Sequence, residues 1–355
     1  MRRVCVDARL YRAGGMGTFL QNILPFLSKQ PHLDLALLCF PGDRKDLGKF
    51  TDSLIEMKSP IYSLKEQKEL AAKIPRCDLF WSPHFNVPLF PIKAKKRMTT
   101  IHDVFHLAFF SSLNFREKLY AKWFYNAAFA LSDWVTAPSI FTKNEIDQYA
   151  TIRPKRISVL PNPVSISVEE RGEGEDFLLC VGNVKPHKNF TRLVKAYRIV
   201  APQERLVVVG KREGLRTIDH EVRDLVENDP FLQKQVTFTG WVDQETLESY
   251  YRRAKVFLFP SLYEGFGYPP LEAMGKRCPV VAARAGAIPE VCGEGVLYVD
   301  PLSVDSIAEG IGKLLGSEEE REALIGRGDR HLSELLSSDR LQPYLEVIDA
   351  CCSSA

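Results

Sequence analysis

Short apolar runs alternate with longer amphipathic stretches along most of this chain, and that alternation restricts its fold more than any other feature. In the first half, Val4–Val6, Leu33–Phe40, Leu79–Ser82, Met98–Ile101, Trp134–Pro138 and Ile157–Leu160 read as strands. Between them lie helical patterns over Thr18–Leu27, Leu64–Ile74 and Phe115–Ser132, and a further helix that Ser139 would cap and that runs to Tyr149. The second half repeats the alternation. Its strands are Phe177–Val181, Leu206–Val209, Val236–Thr239, Val256–Pro260, Pro279–Ala283 and Val296–Val299. Helices follow Asn189, Asp243 and Gly267, helical patterns fill the chain from Val304 onward, and Ala287–Val291 reads as a turn. Strands with no polar alternation are buried on both faces, and strand–helix alternation builds parallel sheets covered on both sides. The polar stretch Ser165–Asp176, holding Gly172 and Gly174, reads as a linker. Two Rossmann-like α/β domains follow from this, over residues 1–165 and 166–335, with a C-terminal helix over 336–355 returning to the first domain. Ligands of such sheets collect beyond the carboxyl ends of the strands, and two such domains facing each other make a cleft.

One strand-to-helix crossing is rich in chemistry. The run Val256-Phe257-Leu258-Phe259-Pro260 leads into Ser261-Leu262-Tyr263-Glu264-Gly265-Phe266-Gly267-Tyr268-Pro269-Pro270-Leu271-Glu272-Ala273-Met274. Glu264 and Glu272 bracket a Gly- and Pro-rich turn. Gly267 lets a ligand approach the backbone, and Pro269 suits a first helical turn, whose N–H groups have no partner. With the positive dipole end of the helix, this suits a ligand bearing phosphates and hydroxyls. A second crossing, Gly182-Asn183-Val184-Lys185-Pro186-His187-Lys188-Asn189, sets Lys188 at a helix start. A cation there makes sense when an anion lies between it and the helix end.

Three weaker features lie at strand ends of the first half. Ala13-Gly14-Gly15-Met16-Gly17 precedes a helix and can cradle a phosphate, and is equally a plain tight turn. His102-Asp103 follows a strand; the His can bond a sugar hydroxyl while the Asp fixes its tautomer or a nearby loop, or the His is a capped structural one. Pro138-Ser139 reads as structural capping.

Charge and cysteine usage narrow the class. The formal net charge is +2, yet residues 1–165 carry 24 Lys and Arg against 14 Asp and Glu, leaving 23 against 31 for the remainder. The first half includes Lys93-Ala94-Lys95-Lys96-Arg97 and the cluster Arg116, Lys118 and Lys122. Such a balance suits an anionic partner (a membrane surface, a phosphorylated lipid or nucleic acid) and equally a solvated face. The eight cysteines are scattered without a C-x-x-C pair and read as reduced, buried thiols, with Cys351-Cys352 in a frayed tail. No apolar run reaches membrane-spanning length and no signal peptide is evident, which reads as a cytoplasmic protein.

These residues resemble a retaining, nucleotide-sugar-dependent glycosyltransferase of the GT-B fold, family four, over essentially the whole chain. The strongest element is Glu264-x7-Glu272 in its Pro260–Met274 setting. The other landmarks fall in family order: Gly15-Met16-Gly17, His102-Asp103, Pro161-Asn162, Gly182-x5-Lys188-Asn189, Gly240-x-Val242 and Ile288-Pro289-Glu290-Val291. The resemblance implies that Glu264 contacts the donor sugar and Glu272 the ribose. Gly265 and the backbone amides around Phe266, Gly267 and Tyr268 would hold sugar and phosphate, and Lys188 would neutralise the departing diphosphate. Gly14 and Gly15 would approach the same phosphates, Val242 would lie against the base, and His102 would touch sugar or acceptor near the reacting carbon. Lys188, Glu264 and His102 are thus the expected catalytic residues.

Two departures from the family pattern stand out. Asn183 replaces a frequent Arg, so that either one phosphate-binding cation is missing or Lys211 or Lys185 supplies it. Arg277 stands in Gly275-Lys276-Arg277-Cys278-Pro279, where relatives carry small residues and a Gly. There is no Asp-x-Asp triplet, so no metal and no cofactor is expected beyond the nucleoside diphosphate sugar as co-substrate. Similarity in wording to bacterial mannosyltransferases of surface-polysaccharide assembly favours GDP-mannose as donor. The implied acceptor is a glycan or polyprenyl-diphosphate-linked sugar, with peripheral contact on the inner face of the cytoplasmic membrane and no nucleic acid. The rival expectations are a non-catalytic sugar-nucleotide-binding subunit and a GT-B sugar-nucleotide 2-epimerase.

Overall fold

The apolar runs pair into two separate parallel sheets in a computed structural model that describes residues 1–110, 113–172, 177–211 and 220–353, the side chain of His220 excepted. Gly174 and Asp176 of the expected linker lie outside the described residues. The chain divides into two units, one of Met1–Ser165 with the segment from Asp339 on, the other of Ile166–Ser338.

The first unit holds strands β1 (Arg2–Asp7), β2 (Leu33–Cys39), β3 (Ser53–Glu56), β4 (Cys77–Ser82), β5 (Ala94–Thr100), β6 (Trp134–Ala137) and β7 (Ile157–Val159). They lie in the order β3-β2-β1-β4-β5-β6-β7. Val4 of β1 stands opposite Leu35 on one side and Leu79 on the other, so the central strand is apolar throughout its middle. The order reverses between β1 and β4, and the chain leaves these strands at Ala8 and Pro83. β3 was not among the expected strands. It is a half-buried edge strand of only Ser-Leu-Ile-Glu, too short and too polar at its ends to stand out as an apolar run.

Strands β8 (Phe177–Val181), β9 (Arg205–Val209), β10 (Val236–Gly240), β11 (Val256–Phe259), β12 (Val280–Ala283) and β13 (Leu297–Val299) form the second unit in the order β10-β9-β8-β11-β12-β13. Every residue of β11 and β12 is buried, as a strand covered on both faces requires. Here the reversal falls between β8 and β11. Both sheets therefore have the doubly wound order in which ligands settle at the reversal, outside the carboxyl ends of the strands.

The C-terminal helices differ in detail from the expectation. One helix continues unbroken from Glu318 to Ser337, past residue 335, and the chain breaks only at Ser338–Arg340. The final helix, Gln342–Ser353, is packed rather than frayed. Tyr344, Leu345, Val347, Ile348 and Cys351 join the core of the first unit, with the Tyr344 ring stacked on Trp81 at 5.9 Å and its hydroxyl donating to the Leu160 carbonyl at 2.9 Å. Cys351 is thus a core thiol, and all eight cysteines are free, seven of them buried. Ala287–Val291, expected as a turn, is a short helix at Ile288–Cys292, which Pro289 suits because it takes a first-turn position. Among the described residues no helix is long and apolar enough to cross a membrane.

Candidate active site

In the second unit the loops after β8 and β11, the two strands that flank the reversal, are tied to each other by backbone and side-chain bonds. Asn189 takes a left-handed conformation (φ 61°) between a 3-10 turn at Pro186–Lys188 and the helix Phe190–Val200. Its buried amide donates to the carbonyls of Pro260 at 3.0 Å and Pro301 at 2.7 Å, and the Leu262 N–H donates to the His187 carbonyl at 2.8 Å. These bonds hold Lys188 against the turn that carries Glu264. Lys188 Nζ donates to Glu264 Oε1 at 2.5 Å, and the ammonium also lies 5.5 Å from the centroid of the Phe259 ring. The side chains are 20% and 15% exposed, so the pair is partly desolvated and still open to a ligand.

The turn itself is built for close approach. Gly267 has φ 105°, and a Cβ there would meet Ile288 Cδ1 at 2.5 Å. Gly286 (φ 61°) packs against the backbone of Glu264, and the Ala287 N–H donates to the Glu264 carbonyl at 2.9 Å. The helix Tyr268–Gly275 begins with no side-chain cap, and Pro269 and Pro270 in its first turn carry no N–H that would need one. Glu272 sits one turn further in and accepts from the Tyr251 hydroxyl at 3.0 Å. Burial raises its carboxyl above the usual range, the Tyr251 bond opposing this. Gly265, Phe266 and Tyr268 lie in the same turn, with Phe266 and Tyr268 buried and in edge contact at 5.0 Å.

Asn183 and Lys211 belong to the neighbouring loops. Asn183 Oδ1 accepts from the Lys211 N–H at 3.0 Å, and the Val184 N–H donates to the Lys211 carbonyl at 3.0 Å. Asn183 thus holds the loop that presents Lys211, and the Lys211 side chain is exposed. Val242 is half-buried beside Trp241, which is 77% exposed, after the left-handed Gly240 (φ 75°). Arg277 adopts φ 54° past a helix end, a conformation that Gly takes without cost, and its guanidinium reaches Asp329 at 3.3 Å.

The first unit holds the other expected residues. Gly14 (φ 49°) and Gly15 are exposed at the uncapped start of the helix Gly14–Leu27. Phe19 of that helix meets the His102 ring edge-on at 5.0 Å. Burial lowers the His102 pKa to about 4, against a bond from its ring to the Pro83 carbonyl. His102 Nε2 is buried with no hydrogen-bond partner among the described residues. It is therefore a neutral imidazole with a bare acceptor, suited to a ligand hydroxyl. Asp103 does not set this tautomer; its carboxylate accepts from the Phe105 N–H at 2.9 Å and so shapes the loop. Ser139 caps its helix by accepting from the Thr142 N–H, as expected.

A cluster at the first unit's own reversal was not legible in the sequence. Arg9, just after β1, is buried, bonds both carboxylate oxygens of Asp7 at 2.7 and 2.6 Å, and stands 2.7 Å from the fully buried Glu66. Glu66 accepts from Asn86 at 2.7 Å and from the Tyr62 N–H at 2.6 Å, and Tyr62 is held at φ 72°. The Asn86 N–H donates to His84 Nδ1 at 3.1 Å, which leaves the proton on Nε2, 3.1 Å from the Tyr62 hydroxyl. Burial, and then the charge of His102, lowers the His84 pKa to about 3. The only advance signal was polar residues following strand ends.

These two histidines set an acid limit. Each is neutral when folded and gains a proton in the unfolded chain below about 6.5, so stability falls as pH drops from about 6.5 towards about 4 for His102 and about 3 for His84. His102 alone contributes on the order of 3 kcal/mol of this loss. Urea melts of the wild type and His102→Gln across pH 7 to 4 check it, and the variant curve should be flatter. Parallel curves would show that His102 is not buried neutral.

Two doubly wound parallel sheets of this order give the chain the α/β GT-B fold. Within that class it belongs to the family-four, group-one glycosyltransferases. Residues 13–168 match the model described as Glycosyltransferase Family 4, and residues 163–331 the model described as Glycosyl transferases group 1. An O-antigen chain mannosyltransferase of Salmonella typhimurium is 28% identical over 243 residues, 68% of this chain and 66% of that protein. The O-antigen chain mannosyltransferase B of Escherichia coli is 34% identical over 155 residues, covering 43% of this chain and 40% of that one. The matched stretches thus span less than two thirds of either relative. The sucrose-phosphate synthase of Thermosynechococcus elongatus shares the fold at a TM-score of 0.75 and 17% identity, over 99% of this chain and 100% of that one.

Proposed function

We propose that this glycosyltransferase moves a hexose from a nucleoside diphosphate sugar, GDP-mannose by preference, to a glycan or polyprenyl-diphosphate-linked acceptor, with retention and without a metal ion. The observation that carries this reading is the Lys188–Glu264 pair at the carboxyl ends of β8 and β11, beside an uncapped helix start. Cleavage of the sugar–phosphate bond builds negative charge on the leaving diphosphate. A fixed ammonium and the positive end of the helix dipole stabilise that charge with little reorganisation. Glu264, freed from Lys188 by the incoming phosphate, can accept donor sugar hydroxyls. Glu272, held by Tyr251, is placed to accept the ribose hydroxyls, and Val242 to lie against the base. Lys211, held by Asn183, supplies the second cation. In the first unit His102 Nε2 accepts a hydroxyl near the reacting carbon, and Gly14 and Gly15 offer N–H groups to phosphate. The curated mannosyltransferase relatives support the choice of sugar. The basic balance of residues 1–165 supports contact with an anionic membrane or a diphosphate-lipid acceptor.

A panel of nucleoside diphosphate sugars tests the reading by thermal shift and turnover, in buffer with excess EDTA. A donor at about a hundred times its Kd stabilises by roughly 2.7 kcal/mol, and GDP-mannose should give the largest shift and the fastest turnover. No shift with any sugar nucleotide, or activity abolished by EDTA and restored by a divalent ion, would overturn the donor or the metal-free part respectively.

A further inference from the structure

The helix Phe115–Leu131 is apolar on two opposite faces. Its inner face buries Ala121, Tyr125, Ala128 and Phe129 against Ile101, Val104 and Val135. Its outer face carries Phe115, Leu119 and Trp123, which are 80%, 52% and 65% exposed. Spaced four residues apart, these three make one continuous stripe. A helix that only covers a sheet needs one apolar face. The second stays exposed among the described residues, and large apolar patches left in water mark interaction sites.

The charges around the stripe specify what would cover it. At 3.6 residues per turn, Arg116 falls on one side of the stripe and Lys122 on the other, and both are exposed. Lys118 leans over the ring of Phe110, itself 37% exposed, at 5.6 Å. The helix's one acidic residue, Glu117, is committed to a capping box with Asn114, so the element is set before any partner arrives. Apolar side chains flanked by cations, with a Trp among them, match the boundary between acyl chains and anionic headgroups.

We propose that this helix docks on an anionic lipid bilayer, with Phe115, Leu119 and Trp123 entering the acyl boundary and Arg116, Lys118 and Lys122 meeting the headgroups. This names the surface for the membrane contact suggested above, and its test needs no donor or acceptor, so it can fail without touching the transfer reaction.

The full chain is sedimented with vesicles of phosphatidylcholine alone and of phosphatidylcholine with phosphatidylglycerol. The wild type should pellet with the anionic vesicles, and raised salt should weaken the binding. Phe115→Ser/Leu119→Ser/Trp123→Ser should lower the partition coefficient roughly tenfold or more, and Arg116→Gln/Lys122→Gln should remove most of the preference for anionic lipid. Because all five side chains are exposed, melting curves should stay near wild type. Lipids brominated on the acyl chain should quench the wild-type Trp fluorescence, and Trp123→Phe, which still binds, should lose that quenching. Equal pelleting of wild type and the stripe variant would overturn the proposal, as would no preference for anionic vesicles. So would self-association that the stripe variant abolishes without any vesicle binding, since a second copy would then be the occupant.

Discussion

Lys188→Ala is expected to cut turnover about 100- to 1000-fold while the protein still folds, the loss typical of removing one preorganised charge stabiliser. The effect should appear mainly in kcat. The charge that Lys188 answers grows as the diphosphate departs, and an interaction stronger in the transition state than in the bound donor changes kcat more than KM. The same side chain is the partner of Glu264 at 2.5 Å, so its removal leaves a partly desolvated carboxylate unpaired. Glu264→Ala should also abolish transfer, by a different route, since it removes the acceptor for donor hydroxyls and frees the ammonium. Because the two groups act as a unit, the double variant should lose less than the product of the single losses. Steady-state kinetics on the four proteins, with melts as a control for folding, decide it. Activity of Lys188→Ala within about tenfold of wild type would remove Lys188 from the catalytic set.

Gly210→Ala should be the most damaging small change. Gly210 has φ 147°, and a Cβ there would lie 2.2 Å from the Gly182 carbonyl oxygen and 2.5 Å from its carbon. Both are backbone atoms, so no side-chain rotation relieves the contact. The Gly210 N–H also donates to the Gly240 carbonyl at 2.9 Å, and the Gly182 N–H to Val209 at 2.9 Å, so the three loops after β8, β9 and β10 are bonded into one piece. Displacing Gly182 displaces Asn183 and, further along the same loop, Lys188. Strain and overpacking together suggest roughly 3 kcal/mol or more of lost stability. For a unit of this size that is a fall in Tm of roughly 6–12 °C, with weakened donor binding in what remains folded. Gly312→Ala is the control. A Cβ at Gly312 meets nothing within 4 Å, and Ala suits a helix interior, so its Tm should hold or rise slightly. Equal melting of the two variants would mean that the three loops have room to shift.

The sequence exposed some of this and hid the rest for physical reasons. Buried parallel strands advertise themselves as unbroken apolar runs, so β1, β2, β8, β11 and β12 were legible, whereas the edge strand β3 was not. The strand-to-helix crossing at Glu264 was legible because its glycines, prolines and carboxylates lie within a few residues of one another. Its union with Lys188 joins positions 76 apart in the chain, which spacing alone does not reveal. The Arg9–Glu66–Asn86–His84 cluster was hidden for the same reason. Its members are ordinary polar residues until the reversal of strand order brings β1 and β4 together. Asn183 was read as a missing cation, and the structure gives its side chain the task of shaping the Lys211 loop. A C-terminal helix returning to the first unit was legible as a helical pattern, but its end was read as frayed, whereas Cys351 packs in that unit's core.

That return has a consequence during synthesis. The first unit is begun early, yet its core lacks Tyr344, Leu345, Val347 and Ile348 until the whole second unit has been translated. While the ribosome makes residues 166–338, Trp81 and Leu160 lack their contacts with Tyr344, and the nascent first unit leaves apolar surface uncovered. The second unit has all of its own core between Ile166 and Ser338 and can complete itself in that interval. Maturation is therefore out of order along the chain: the unit started second closes first, and the unit started first is sealed by residues that arrive after both.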